Sequence, residues 1–333
     1  MKYALLFLLL PLQAFAQDRT DILTVALQEH ILPNFRELAA TSQDLEEAAI
    51  NDCSVTSEPL REAYHAAFDA WISASHLRFG PTETDNRAFA LAYWPDPKGF
   101  TPKVLTRLIS DEDPIVDDPA QFIEVSIAGR GFYALDAVMY DERYAGNPEY
   151  TCRLIRAITT DISDIADAML SEWENEYSDY VLTAGSDENP IYFTQEEAMQ
   201  DLMASAITGL EFTKDKRIAR PLGTFERPRP NRADAHRSGR AQRNIILSLE
   251  AVKDLTNILM GELGGGLPDE VNATLDLAIR QARDIENPAE ITISSRFALE
   301  ALQSSISSAH LFIVNELQPA LGVVAGFNAL DGD

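Results

Sequence analysis

Several common chemistries lack their residues in this sequence. None of its five histidines stands in H-E-x-x-H or H-x-x-E-H, so the zinc-peptidase helices are missing. There is no G-x-S-x-G elbow, no Walker loop and no G-x-G-x-x-G fingerprint, which removes the usual hydrolase and nucleotide-binding signatures. No segment alternates convincingly at period two, so strands are not predicted. Beyond the N-terminus, no stretch reaches the roughly 20 apolar residues of a membrane-spanning helix. Basic residues are scarce: 27 Lys and Arg face 53 Asp and Glu, a formal charge of −26. That balance makes nucleic acid and anionic lipid poor partners and favours solubility.

The N-terminus carries what reads as an export signal. Lys2 gives a positive start, Ala4 to Leu10 an apolar core, and Ala14-Phe15-Ala16 a small-x-small cleavage site. The run is too short to span a bilayer and is broken by Pro11. Residues 1–16 are therefore expected to be removed, leaving a periplasmic chain that is not membrane-embedded. In such an oxidising compartment the isolated pair Cys53 and Cys152 reads most simply as one disulfide. The alternative, a metal-binding pair, has no nearby His or Cys to complete it.

Helical periodicity predicts an all-α fold of two packed bundles, residues 17–181 and 191–333, with Leu182 to Pro190 as the boundary. In the first half, helices are expected from Asp21 to Ile50 (kinked at Pro33), from Ser57 to Gly80-Pro81, from Phe122 to Tyr140 and from Glu149 to Tyr177. A loop from Thr82 to Pro102, rich in Pro, Gly and aromatics, is too varied for a mere connector. In the second half, helices are expected at Thr194 to Arg217, Ala233 to Met260, Pro268 to Ile285 and Ile291 to Asn315. The recurrence of helix, Pro-Gly stop and loop in both halves suggests an internal duplication.

Two local metal signals are weak. Glu62 and His65 form an E-x-x-H on one helix face, as in di-iron bundles, but no second copy occurs. His65, Asp69 and His76 share a stripe, yet His65 and His76 lie about 16 Å apart along a helix, too far to share an ion.

A wider pattern covers nearly the whole chain. The stretch Trp71 to Gly99 contains His76-Leu77-Arg78-Phe79-Gly80-Pro81, then Asn86-Arg87-Ala88-Phe89 and Trp94-Pro95-Asp96. With Arg220-Pro221-Leu222-Gly223 and the terminal Gly326-Phe327-Asn328 to Asp331-Gly332-Asp333, it resembles the imelysin-like proteins. The resemblance implies exported proteins of two helical bundles with a site at the interdomain cleft, linked to iron uptake and in some cases labelled metallopeptidases. The family motif is G-x-H-x-x-E. Here the segment reads Gly131-Phe132-Tyr133-Ala134-Leu135-Asp136, with Tyr133 for the His and Asp136 for the Glu. Both ligand positions depart, so peptidase activity does not carry over.

Residues i and i+3 on a helix are neighbours, so Tyr133 and Asp136 could share one centre. Phenolate and carboxylate are hard ligands, better matched to ferric iron than to zinc. Glu83, Asp85, Asp331 or Asp333 are candidates to complete such a site. The competing reading is a cleft that has lost its ion and takes a small anion through Arg78 and Arg87. The expected cleft set is Arg78, Asp85, Arg87 and Trp94 from the first loop, with Arg217, Arg220 and Ser238 from the second half. A basic island (Lys216, Arg217, Arg220, Arg227, Arg229, Arg232, Arg237, Arg240) either docks an anion or pairs with acidic helices of the first half. The leading functional expectation is a periplasmic binding or accessory protein of iron uptake, with iron or a small anion as ligand. An envelope scaffold with a protein partner is the alternative, and a metallopeptidase comes third.

Overall fold

The computed structural model describes residues 19–323 apart from 262, 264, 286, 287 and 289–292. The expected export signal, the terminal motif, Asp331 and Asp333 lie outside the described residues. Among the described residues the chain is helical and has no strand; a single isolated bridge joins Thr224 to Arg227.

The first bundle contains α1 (Arg19–Val25), α2 (Leu32–Asn51), α3 (Glu58–Ala74), α4 (Arg87–Leu91), α5 (Phe100–Asp111), α6 (Pro119–Phe122), α7 (Gly131–Tyr140), α8 (Pro148–Glu172) and α9 (Ser178–Leu182). Its centre is α2 against α3 and α8, with α7 laid on α8. The second bundle is α10 (Gln195–Phe212), α11 (Ala219–Leu222), α12 (Ala241–Met260), α13 (Leu267–Asp284) and α14 (Ile293–Phe312), with α12 packed on α10 and α13. The bundles meet where α12 packs on α3, and α1 crosses over to touch α10.

The expected kink at Pro33 takes the form of a wide π-turn, Ala26–Ile31, directly before α2. Proline has no N–H to donate, and the loosened turn accommodates the gap in the ladder. Thr194 caps α10 through a reciprocal capping box with Glu197. Cys53 and Cys152 form the disulfide, tying the end of α2 to α8.

Three predicted helices are shorter than expected. The helix expected to run to Gly80-Pro81 ends at Ala74. The span from Phe122 to Tyr140 breaks, because Gly131 has φ +69° and α7 begins only there. The span from Ala233 opens as irregular chain, and α12 begins at Ala241, after positive φ at Ala235 and Gly239. The last two interruptions fall at the site described below.

One helical stretch, Ser295–Ala320, is long and apolar enough to cross a membrane by length and composition alone, contrary to the expectation from the sequence. Leu299, Leu302, Ile306, Ala309, Ile313 and Leu317 are fully buried at helical spacing, and α14 packs on α13 and α10. That is the buried stripe of an amphipathic helix, whose other faces expose Phe297 and Leu311.

Candidate functional site

The site is built on α7. Gly131 lets the chain enter this helix beneath the backbone of α4: a Cβ there would lie 2.2 Å from the Leu91 carbonyl oxygen and 2.3 Å from that of Ala90. Next to it, buried Arg130 donates to Asp161 on α8 (3.0 Å from Nε) and to the Ile123 carbonyl (2.7 Å), which locks the start of α7 to the bundle. Tyr133 and Asp136 then follow one turn apart.

The Tyr133 ring stacks on Trp94 (centroids 5.8 Å, 19°) and meets Phe68 edge-on at 5.3 Å. Its ring keeps some exposure to the cleft, but its hydroxyl is enclosed and donates to Asp234 Oδ1 at 2.5 Å. Asp234 is fully buried, and its other oxygen lies 2.9 Å from Arg217 Nε. That contact is an ion pair rather than a well-aligned hydrogen bond. The Arg217 guanidinium in turn covers the Phe212 ring at 4.8 Å. Burial, and then the Asp234 charge, push the Tyr133 phenol well above its ordinary range.

Asp136 is buried and accepts from the Ser238 backbone N–H (3.2 Å) and the Tyr64 hydroxyl (3.3 Å). Arg237 stands 3.7 Å from its second oxygen and also binds Asp141 at 3.0 Å. Burial raises the Asp136 carboxyl despite these partners.

Above these residues opens a cleft of about 210 Å³ between the bundles. Its walls are the first loop (Tyr93, Trp94, Asp96), α7 (Tyr133, Asp136), Arg220 of α11 and the loop after it (Arg232, His236, Arg237). Arg220 lies 5.9 Å over the Trp94 ring. Its Nε is buried without a hydrogen-bond partner, and burial and the Arg232 charge lower its pKa.

The expected residues divide clearly. Trp94, Arg220, Tyr133 and Asp136 line the cleft, Arg217 lies behind it on Asp234, and Ser238 holds Asp136 from behind. Arg78, Asp85 and Arg87 do not reach it. Arg78 is bound by Glu83 (3.2 Å from its NH2 nitrogen), and Arg87 by Glu172 (2.6 Å) and the Pro81 carbonyl. Asp85 is exposed on a left-handed turn. These nearby carboxylates and the Pro81 carbonyl turn the two arginines into supports of the loop. The basic island is divided as well: Arg237 and Arg240 pair with first-half carboxylates, Arg217 pairs within its own half, and Arg220 and Arg232 have no carboxylate partner among the described residues.

Sequence reasoning missed Asp234, Tyr64, Tyr93 and His236. Asp234 lay inside a predicted helix, and Gly239 five residues on was the one signal that this helix starts late.

A bare cation does not fit Tyr133 and Asp136. The phenol is a donor to Asp234, and each neighbouring carboxylate already faces a guanidinium, Arg217 on Asp234 and Arg237 on Asp136. Among the described residues, no three His, Cys, Asp or Glu converge as a metal set. The E-x-x-H helix differs from a metal helix too. His65 Nδ1 receives Arg240 at 2.9 Å, which places the ring proton on Nε2, 3.2 Å from the Tyr140 hydroxyl. Asp69 is held by Arg240 and Arg243. His76 lies just past the end of α3, paired through Nε2 with His30 Nε2 at 2.9 Å in the core.

Comparison with known proteins agrees with this architecture. A crystal structure of an imelysin-like protein from Psychrobacter arcticum 273-4 superposes with a TM-score of 0.80 at 18% identity, covering 94% of this chain and 98% of that one. A second, from Parabacteroides distasonis ATCC 8503 and named as an iron-regulated protein A precursor, gives 0.63 at 12% identity, covering 91% and 94%. No curated protein matches the sequence. The imelysin family model matches residues 31–309, most of the chain, and the chain therefore belongs to the imelysin family.

Proposed function

We propose that this protein is exported to the periplasm by its N-terminal signal and serves iron uptake as a binding or accessory component, its ligand held in the cleft between the bundles. The observation that carries the reading is positional. The helix aligned with the family motif, α7, forms a wall of a cleft that both bundles line, beside an aromatic and basic loop. The name of the Parabacteroides protein supplies the link to iron. Peptidase chemistry finds no support in the residues. Asp136, the acid at the motif position, is occupied by Ser238, Tyr64 and Arg237 rather than open to activate a water.

The reading is tested by iron accumulation in an iron-limited deletion strain. Wild-type protein restores accumulation and Trp94→Ala, which removes the aromatic shelf of the cleft, does not. A deletion strain that accumulates iron like its parent overturns the iron assignment.

A further inference from the structure

The cleft offers donors and almost no free acceptor. Its two carboxylates are engaged: Asp96 accepts the backbone N–H groups of Phe100 (3.0 Å) and Thr101 (2.8 Å), capping α5, and Asp136 is held as described. Against them stand Arg220 and Arg232, neither ion-paired to a described residue, together with the Tyr93 hydroxyl, the Asn231 amide and His236. In a chain with 53 acidic against 27 basic side chains, two arginines sharing a cleft with no carboxylate partner of their own is an arrangement the composition works against. Like charges brought together at a partly buried site repel unless an anion joins them.

Stacking on Trp94 orients the flat Arg220 guanidinium, and a fixed guanidinium fork matches a carboxylate or phosphate in two parallel hydrogen bonds. The volume, about 210 Å³, falls below the roughly 300–1,000 Å³ of sites for drug-sized molecules, so the occupant is small. We infer that the cleft binds a small oxyanion, a polycarboxylate or a phosphate-bearing molecule, clamped between Arg220 and Arg232 with its frame against Trp94. The inference rests on the reading of this cleft as the ligand site, and it names the chemistry of the ligand.

The test is a titration of purified protein in phosphate-free buffer with citrate, ferric citrate and inorganic phosphate, read by tryptophan emission and calorimetry. Trp71 and Trp173 are buried, so Trp94 is the reporter facing the cleft. Saturable binding of at least one oxyanion is expected, weakened about 10–100-fold in Arg220→Gln and in Arg232→Gln, the size of a lost charge-assisted hydrogen bond. Arg283→Gln, which removes an equal charge from an exposed pair with Glu250, leaves affinity unchanged. Preference for phosphate over citrate, or the reverse, identifies the class of oxyanion. Exposed Arg232 carries the test should Arg220→Gln fail to fold. No saturable binding by folded wild type, or wild-type affinity in both arginine variants, overturns the inference. Oxyanion binding without an iron phenotype in the deletion strain keeps the clamp and removes the iron reading. An iron phenotype without oxyanion binding does the opposite.

Discussion

The Tyr133 hydroxyl donates to Asp234 Oδ1 at 2.5 Å, joining the motif helix of the first bundle to the irregular entry of α12 in the second. With Arg217 on the far side of Asp234, this makes a buried chain of phenol, carboxylate and guanidinium across the bundle interface. The residue standing where the family motif has histidine is thus part of what holds the two halves in register.

Substitutions along that chain should rank in a definite order. Tyr133→Phe leaves one Asp234 oxygen unsatisfied and costs about 1–3 kcal/mol. Asp234→Asn leaves the Arg217 charge buried without its counter-ion and costs about 3–5 kcal/mol. Urea unfolding of both variants checks the order. A Tyr133→Phe protein less stable than Asp234→Asn would show that the phenol, not the ion pair, carries the junction.

Gly131→Ala should be among the most damaging single changes. The residue sits at φ +69°, and its Cβ would collide with the carbonyls of Ala90 and Leu91, backbone that cannot swing aside. A loss of about 3 kcal/mol or more is expected, with a changed Trp94 environment because the first loop follows Leu91 directly. Thermal melts and tryptophan emission of the variant test this; a wild-type melting temperature would contradict the tight entry to α7.

The motif and the loops around it were legible in the sequence, but their contacts were not. Period-3.6 patterning sufficed for the helices, because stripes such as Leu299, Leu302, Ile306 and Ile313 declare a buried face without knowledge of the partner. It failed at Ala233 to Arg240, where Ala, His and Arg carry good enough helical propensity and the break depends on local φ at Ala235 and Gly239. Trp94 and Arg220 reach the cleft, whereas Arg78 and Arg87 are drawn off by Glu83 and Glu172. Glu172 lies 85 residues from Arg87, and no local pattern predicts that encounter.

Acid should destabilise the fold through the buried histidine pair. Burial lowers His30 to about 4, and burial, then the neighbouring His30, lowers His76 well below its ordinary value. Unfolded histidine titrates near 6.5, so below that pH the unfolded chain takes up protons that the fold refuses. The stabilisation is complete above about pH 6.5 and fades as pH falls toward 4, by about 3 kcal/mol for His30 alone. Urea midpoints at pH 7.5 and 5.0 check this. His30→Gln should lose roughly 2 kcal/mol less than wild type over that interval, and an identical loss would contradict the assignment.

Reduction of Cys53–Cys152 releases a closure of 99 residues. A loop of that length constrains the unfolded chain strongly, so Cys53→Ser with Cys152→Ser should cost about 2–5 kcal/mol while leaving helix content intact. Urea unfolding with circular dichroism checks both parts, and an unchanged midpoint would count against a stabilising role for the bridge.

The most direct test of the cleft is equilibrium dialysis of labelled iron, offered as the free ferrous ion under argon and as ferric citrate. Retention of ferric citrate alone is predicted, lost in Arg220→Gln and kept in Tyr133→Phe. Retention of the free ion at one equivalent, lost in Tyr133→Phe, would contradict the account and return Tyr133 to the role of a metal ligand.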